Sequence, residues 1–264
     1  MTDLVRATSA STRLLFGLPL DAATRADVVA ECSNALSERR RLLIGVLNAA
    51  KVVNLRRDPL LRDSLLDCDL LLADGQSVVW ASHLLGSPLP ERVAGIDLFV
   101  ALLELAEQQS YSVYLLGARR EVLDRLLGNL EERYPNLRIA GARDGYFSDD
   151  EAADVAREIR DSGADMLFLG MVSPKKEIFL ASHGSTLGVP VLHGVGGSFD
   201  VLAGITRRAP ERWQRLGLEW AYRLLQEPRR MWRRYLRTNT GFLLLLLREL
   251  IRPAAPLQRA VRSS

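Results

Sequence analysis

The stretch that decides the fold reads "SDDEAADVAREIRDSGADMLFLGM", Ser148 to Met171. Its first part is amphipathic at helical spacing, with Ser148 placed as an N-cap and acids in the first turn. Its second part, "ADMLFLGM", is apolar without alternation. A strand with two apolar sides has to be covered on both faces, the condition of a parallel sheet in an α/β protein.

Five more apolar runs of this kind surround it. They are "RLLIGVLN" (Arg41–Asn48), "CDLLLADG" (Cys68–Gly75), "YSVYLLGA" (Tyr111–Ala118), "NLRIAGA" (Asn136–Ala142) and "VPVLHGVG" (Val189–Gly196). Helix-like stretches such as "DLFVALLELAEQQ" and "REVLDRLLGNLEERY" separate several of them. The expected fold is α/β, a Rossmann-like parallel six-strand sheet with helices on both faces. Ligands of such sheets bind outside the carboxyl ends of the strands. That directs attention to Asn48, Asp74 to Ser77, Gly117 to Arg119, Gly145, Ser173 to Glu177, and Gly194 to Ser198.

After Arg207 the pattern changes. Trp213, Leu216, Trp220 and Leu224 recur at spacings of 3, 4 and 4, which predicts one helical face. Pro228 suits the first turn of a new helix, continued by Met231, Trp232, Tyr235 and Phe242 among five arginines. From Arg207 onward there are 14 basic and 4 acidic residues, against 21 and 28 before it. The expected organisation is therefore a core over 1–206 and a basic, amphipathic helical appendage over 207–264. Basic segments of this kind seek phosphates.

The 264 residues, 48% hydrophobic and 25% charged, suffice for a sizeable core. Cys32 and Cys68 follow no metal or disulfide spacing and read as buried free thiols. His83, His183 and His193 form no ligand pair, so no metal is expected. The apolar run Phe242–Leu247 has six residues, well short of the roughly 20 of a membrane span. The N-terminus carries Asp3 and no long apolar core, so no signal peptide is expected.

Several segments fit chemistry. Asp74 closes a buried strand ahead of Gly75, a place for a general base or for a helix cap, and position alone leaves both open. "GMVSPKKE" reads as a strand end, a Ser173 N-cap, Pro174 in the first turn, then Lys175 and Lys176. A helix start with adjacent lysines suits a phosphate. "HGVGGSFD" is a Gly-rich turn after a strand, yet neither the G-x-G-x-x-G fingerprint nor a Walker loop occurs. That disfavours an NAD-dependent nucleotide-sugar oxidoreductase. In "PLPERVAGIDL", Asp97 reads as an N-cap and Arg92 as a partner for a phosphate or carboxylate, and periodicity does not decide between the bland and the sharp reading.

Taken in order, these segments resemble the WecG/TagA/CpsF family of bacterial glycosyltransferases. The matching stretches include "LNAAKVV", "LLADGQSVVWAS", "ERVAGIDL", "YPNLRIAGARDGYF", "ADMLFLGMVSPKKE", "GVGGSFDVLAG" and "RRAPERWQRLGLEWAYRLLQEPRR". The resemblance implies an inverting, metal-independent and cofactor-free transfer from a UDP-sugar. The implied acceptor is a sugar on a polyprenyl diphosphate at the cytoplasmic face of the inner membrane, with the enzyme peripheral and homo-oligomerisation left open. It implies Asp74 as the base. Donor-side residues would be Asn48, Arg92, Asp97, Gly117, Ser173, Lys175, Lys176, Glu177, Gly194, Gly196, Gly197 and Asp200. Arg208, Arg215, Arg223, Arg230, Trp213, Trp220 and Trp232 would face acceptor and membrane. Two departures stand out. Val46-Leu47 replace a common threonine-containing pair, and Lys176 stands where many members have glutamine. With that added charge, a glucose-type donor for exopolysaccharide stands beside N-acetylmannosamine. A rival reading, a nucleic-acid-binding tail, is disfavoured by the helical spacing of its aromatics.

Overall fold

The structure, a computed structural model, describes residues 11–226 and 228–259, without the side chains of Arg215, Arg223, Arg230, Met231 and Arg234. The expectation of no signal peptide concerns residues 1–10 and lies outside the described residues, as do the acceptor or membrane roles of Arg215, Arg223 and Arg230.

The chain opens with a hairpin, β1 (Thr12–Leu15) and β2 (Leu18–Asp21), followed by α1 (Arg25–Ser37), β3 (Leu42–Leu47), α2 (Ala49–Asn54) and α3 (Pro59–Leu66). Next come β4 (Leu70–Ala73), α4 (Gln76–Leu84), α5 (Gly95–Gln109), β5 (Ser112–Gly117), α6 (Arg120–Arg133) and β6 (Arg138–Arg143). Then follow α7 (Ala152–Asp161), β7 (Met166–Gly170), α8 (Lys175–His183), β8 (Val191–Gly194) and α9 (Ser198–Leu202). The C-terminal part holds α10 (Glu211–Arg215), α11 (Glu219–Gln226) and α12 (Pro228–Ile251).

The six expected strands are β3 to β8, each within two residues of its expected bounds. They form one parallel sheet in the order β4-β3-β8-β7-β5-β6. The pleat explains their composition. Leu42, Ile44 and Val46 of β3 join one apolar cluster with α1, α5 and α6. Leu43 packs on the opposite face with α7 and α8, and Leu47 with α2 and α3. Each fully buried aliphatic side chain contributes about 1.5–3 kcal/mol relative to exposure, so both faces favour the apolar runs. Strands β3 and β8 lie side by side. After β3 the chain leaves toward the face of α2, and after β8 toward the face of α9. This divergence opens a crevice at their carboxyl ends.

Three local expectations need correction. Helix α7 begins at Ala152, not after Ser148. The Ser148 hydroxyl and N–H both donate to Glu151, so the hydroxyl caps no helical N–H. Helix α8 begins at Lys175 with Pro174, not Ser173, in the cap position and no side-chain cap. Trp213 and Trp220 do not share one helix, because Gly217 breaks the chain at φ +67°. A Cβ there would stand 2.6 Å from Cγ of Gln76, so the break fits α10 and α11 closely onto α4.

Helix α12 starts at Pro228 as expected and lies on α2. Phe242 is buried with its ring centroid 5.3 Å from that of Phe16 in the hairpin turn. Beyond α12, Leu257 N–H donates to Gly17 O at 2.7 Å, and Arg259 pairs with Asp67. Cys32 and Cys68 are buried free thiols, each pushed up to about 12 by burial. Among the described residues, no helix is long and apolar enough to cross a membrane.

The Phe16–Phe242 contact makes α12 part of the core by packing. Phe242→Ala is expected to destabilise the chain by about 3–5 kcal/mol. Urea unfolding should keep a single transition. A separate early transition for α12 would contradict this.

Candidate active site

Asp74 stands directly after β4, with its N–H bonded to Leu47 O at 2.9 Å. Its Oδ1 accepts from Gly95 N, the first residue of α5, at 3.0 Å. The carboxylate thus caps a 15-residue helix that is not its own, and the positive helix end favours its charge. Among the described residues, no hydrogen bond within the protein engages Oδ2. Capping and an oriented free oxygen therefore coexist in one side chain. Val93 N–H donates to Ala73 O at 2.9 Å, which ties the loop before α5 to the same strand end.

Asn48 caps α2, its side chain accepting from Lys51 N at 3.1 Å. Gly75 brings the two strand ends together, since a Cβ on it would lie 3.2 Å from Cβ of Asn48. His193, fully buried on β8, meets Gly95 O at 3.2 Å through Nε2. Burial pushes its imidazole down to about 4. His193 thereby braces the same helix start that Asp74 caps. Sequence reasoning missed it. The available signal was a histidine inside an otherwise apolar strand, next to the Gly-rich turn.

The two adjacent lysines part company. Lys175 Nζ donates to Gly145 O and Phe147 O at 3.0 and 2.9 Å and lies 4.2 Å above the Phe147 ring. Lys176 is buried and runs beneath the Gly-rich turn, where a Cβ on Gly194 would be 3.0 Å from its Cδ and Cε. Glu177, also buried, lies 3.0 Å from Lys51 Nζ and 3.7 Å from Lys176 Nζ. Lys51 Nζ also donates to Val46 O at 2.8 Å. Desolvation and the neighbouring Lys51 lower Lys176 to about 8. The lysines hold Glu177 below the ordinary carboxylate range although burial opposes this.

The expected cap at Asp97 is a correction: α5 begins at Gly95 after Ala94, and Asp97 sits in its first turn. Its carboxylate binds Arg208 through two bonds of 2.6 and 2.8 Å. Arg92 donates to Glu219 of α11 at 2.6 Å, and Arg208 Nε lies 3.5 Å from Glu219. Two guanidiniums and two carboxylates thus form a closed quartet that seats α11 beside the crevice. The fork geometry of the Arg208 pair makes it directional.

Other expected residues are placed as follows. Gly117, at φ +142°, lets β5 meet β7, since a Cβ would be 2.5 Å from Gly170 C. Gly196 has φ +55°, and a Cβ there would be 3.6 Å from Lys176 Nζ. A Cβ on Gly197 would be 4.0 Å from Asp200 Oδ2, and Asp200 O accepts from Ile205 and Thr206 N–H. Ser173 is exposed at the rim. Tyr146, which the sequence reading did not single out, is exposed nearby, with the Arg119 guanidinium 5.9 Å from its ring centroid. In the C-terminal helices, Trp213 packs edge-on against Tyr222, and Trp220 against Tyr235, each at 5.8 Å. Trp232 is exposed on α12.

The profile of the "Glycosyl transferase WecG/TagA/CpsF family" matches residues 13–256. The chain is 41% identical over 168 residues to an N-acetylglucosaminyldiphosphoundecaprenol N-acetyl-beta-D-mannosaminyltransferase of Bacillus spizizenii strain W23, covering 64% of each protein. It is 38% identical over 174 residues to a protein of the same name from Bacillus subtilis strain 168, covering 66% of this chain and 67% of that one. The match thus spans about two thirds of these relatives.

His193 gives this site a pH signature. The unfolded chain takes up a proton near the ordinary 6.5, whereas the folded chain resists until about 4. The unfolded state binds more protons between these values, so stability falls as pH drops through that window. Urea titrations should show a shallower fall for His193→Leu than for the unmodified chain. Equal slopes would contradict the assignment.

Proposed function

The chain belongs to the WecG/TagA/CpsF family of glycosyl transferases, and from that premise we propose that it moves a hexose from a UDP-sugar to a polyprenyl-diphosphate-linked sugar in cell-surface polysaccharide synthesis. The names of the two Bacillus relatives favour N-acetylmannosamine as the hexose and N-acetylglucosaminyl-diphospho-undecaprenol as the acceptor. The observation that carries the reading is Asp74: a carboxylate at the crevice with one oxygen fixed by Gly95 N–H and the other, among the described residues, without a hydrogen bond.

In the proposed reaction Asp74 Oδ2 takes the proton of the acceptor hydroxyl. The acceptor oxygen bonds to the anomeric carbon from the side opposite UDP. The bond from that carbon to the β-phosphate oxygen breaks, UDP leaves with the electron pair, and the configuration inverts. No metal takes part in this proposal. Fixed cations and backbone N–H groups stabilise the departing diphosphate. The exposed Tyr146 ring offers a flat face to a nucleobase at the rim.

Lys176 supports a second donor reading. Lys176 stands where many family members carry glutamine, which marks a crevice different from theirs, so a glucose-type donor stands beside N-acetylmannosamine. A UDP-release screen with UDP-N-acetylmannosamine, its uronate and UDP-glucose decides between them.

Helix α12 supports a peripheral place at the cytoplasmic face of the membrane. Trp232, Leu236, Leu243, Leu247 and Leu250 are exposed at spacings of 4, 7, 4 and 3, along one side of the helix. Arg233, Arg237 and Arg248 are exposed alongside. Apolar and cationic residues in this arrangement suit an anionic lipid surface. The edge-to-face packing of Trp213 and Trp220 leaves less aromatic surface for stacking nucleic acid.

Asp74→Asn is expected to reduce transfer by at least about 10³-fold while UDP binding changes little. Retained turnover would remove Asp74 as the base. Leu243→Asp with Leu247→Asp should abolish sedimentation with anionic vesicles and transfer to a long-chain acceptor, yet spare transfer to a short-chain soluble one. Vesicle binding that survives the pair would remove α12 from docking.

A further inference from the structure

In the buried cluster beneath the Gly-rich turn, direct contacts set two ammoniums against one carboxylate, and Asp74 acts on Lys176 from beyond ion-pair distance. Lys51 and Lys176 supply two ammoniums, and Glu177 supplies one carboxylate between them. Lys51 is the better satisfied, with Glu177 at 3.0 Å and Val46 O at 2.8 Å. Among the described residues, Lys176 has the longer contact of 3.7 Å to Glu177, although an ammonium carries three donors. Its Nζ lies by Gly196, where the absent side chain leaves the turn open. Lys175 does not share this role, because its ammonium is held by two carbonyls and the Phe147 ring.

We propose that Lys176 is the cation that meets the diphosphate of the UDP-sugar, and that Lys51 and Glu177 are positioning residues that hold it there. The proposal rests on the glycosyltransferase reading above. A desolvated ammonium needs an anion, and charge-assisted bonds to phosphate oxygens meet that need better than neutral sugar hydroxyls do. Glu177 is shared with Lys51, so it does not fully neutralise Lys176. The glycines at 194 and 196 then have a common purpose: they leave space for the lysine below and for a phosphate above.

The amine also holds its proton weakly, at about 8, because burial and Lys51 oppose its charge while Glu177 and Asp74 favour it. The groups facing it are Lys51 on α2, Glu177 on α8, Asp74 after β4 and His193 on β8. Cys68 and Asp69 line the adjoining cavity of about 220 Å³. A bound diphosphate raises the proton affinity of the amine, and by linkage UDP affinity falls once the pH exceeds that of the free amine.

The test is calorimetric titration of the full chain with UDP and with uridine, which lacks the diphosphate, from pH 7 to 9. For the unmodified chain, UDP affinity should fall across this range relative to uridine. Lys176→Met and Lys176→Gln should weaken UDP by about tenfold or more at pH 7, spare uridine, and flatten the pH dependence. Glu177→Gln should move the loss of UDP affinity to lower pH, because Lys51 then repels Lys176 without relief. A merely structural role would not shift that midpoint. Wild-type UDP affinity in Lys176→Met overturns the proposal, as does equal loss of uridine. If neither variant folds, a flat UDP profile in the unmodified chain overturns it. Loss of UDP-sugar binding with intact UDP binding assigns Lys176 to the sugar instead and also overturns it. An unmodified chain that binds neither UDP nor uridine removes the glycosyltransferase reading itself, a result distinct from all of these.

Discussion

Both faces of the parallel sheet are covered, and this constraint governs where polar chemistry can sit. Interior strand positions face apolar helices and offer no place for an unpaired charge. Charged groups are therefore driven to the strand ends. Asn48, Asp74 and the Gly-rich turn after β8 meet there because β3 is paired with β4 on one side and β8 on the other. Asp74 and His193 then converge on the start of α5 from different strands. The helix start is fixed by that double contact, and so is the carboxylate.

Charge is apportioned with little surplus around this crevice. Arg92 and Arg208 are matched by Glu219 and Asp97. Such a quartet orders the beginning of the C-terminal arm, and breaking it would leave half-buried guanidiniums without partners, which costs more than an exposed ion pair contributes. Arg92 is thus tied to the arm in this structure. Lys176 stands apart, since its nearest carboxylate is shared.

Much of the fold was legible in the sequence because unbroken apolar runs report burial on two faces, as in β3, β4, β5, β7 and β8, whereas β6 at the sheet edge is only half-buried. The hairpin of β1 and β2 escaped because each strand has four residues and no distinctive alternation. Its role is tertiary: Phe16 receives Phe242 from a helix more than two hundred residues away, and no local pattern encodes such a meeting. The spacing of Trp213 to Leu224 suggested one helix because periodicity does not register a glycine at positive φ with no room for a Cβ beside Gln76. In the crevice, strand-end logic singled out Asp74, Asn48 and the lysine pair. It did not separate Lys175 from Lys176, since adjacent helix residues point in different directions only once the helix start is known. The partnership of Arg92 with Glu219 joins residues 127 apart and had no signal in spacing.

The contact of Leu257, beyond α12, with Gly17 of the hairpin turn has a consequence for geometry at a surface. Helix α12, about 36 Å long at 1.5 Å per residue, is pinned near its start by Tyr235 against Trp220, at its middle by Phe242, and beyond its end by Leu257 on Gly17. These contacts tie it to α11 and to the hairpin. If its leucine side lies on a bilayer, the whole sheet takes one tilt and the crevice one altitude, like a gantry of set height. In the proposed reaction, reach then becomes a property of the acceptor, and the number of sugars between diphosphate and hydroxyl decides what would arrive at Asp74.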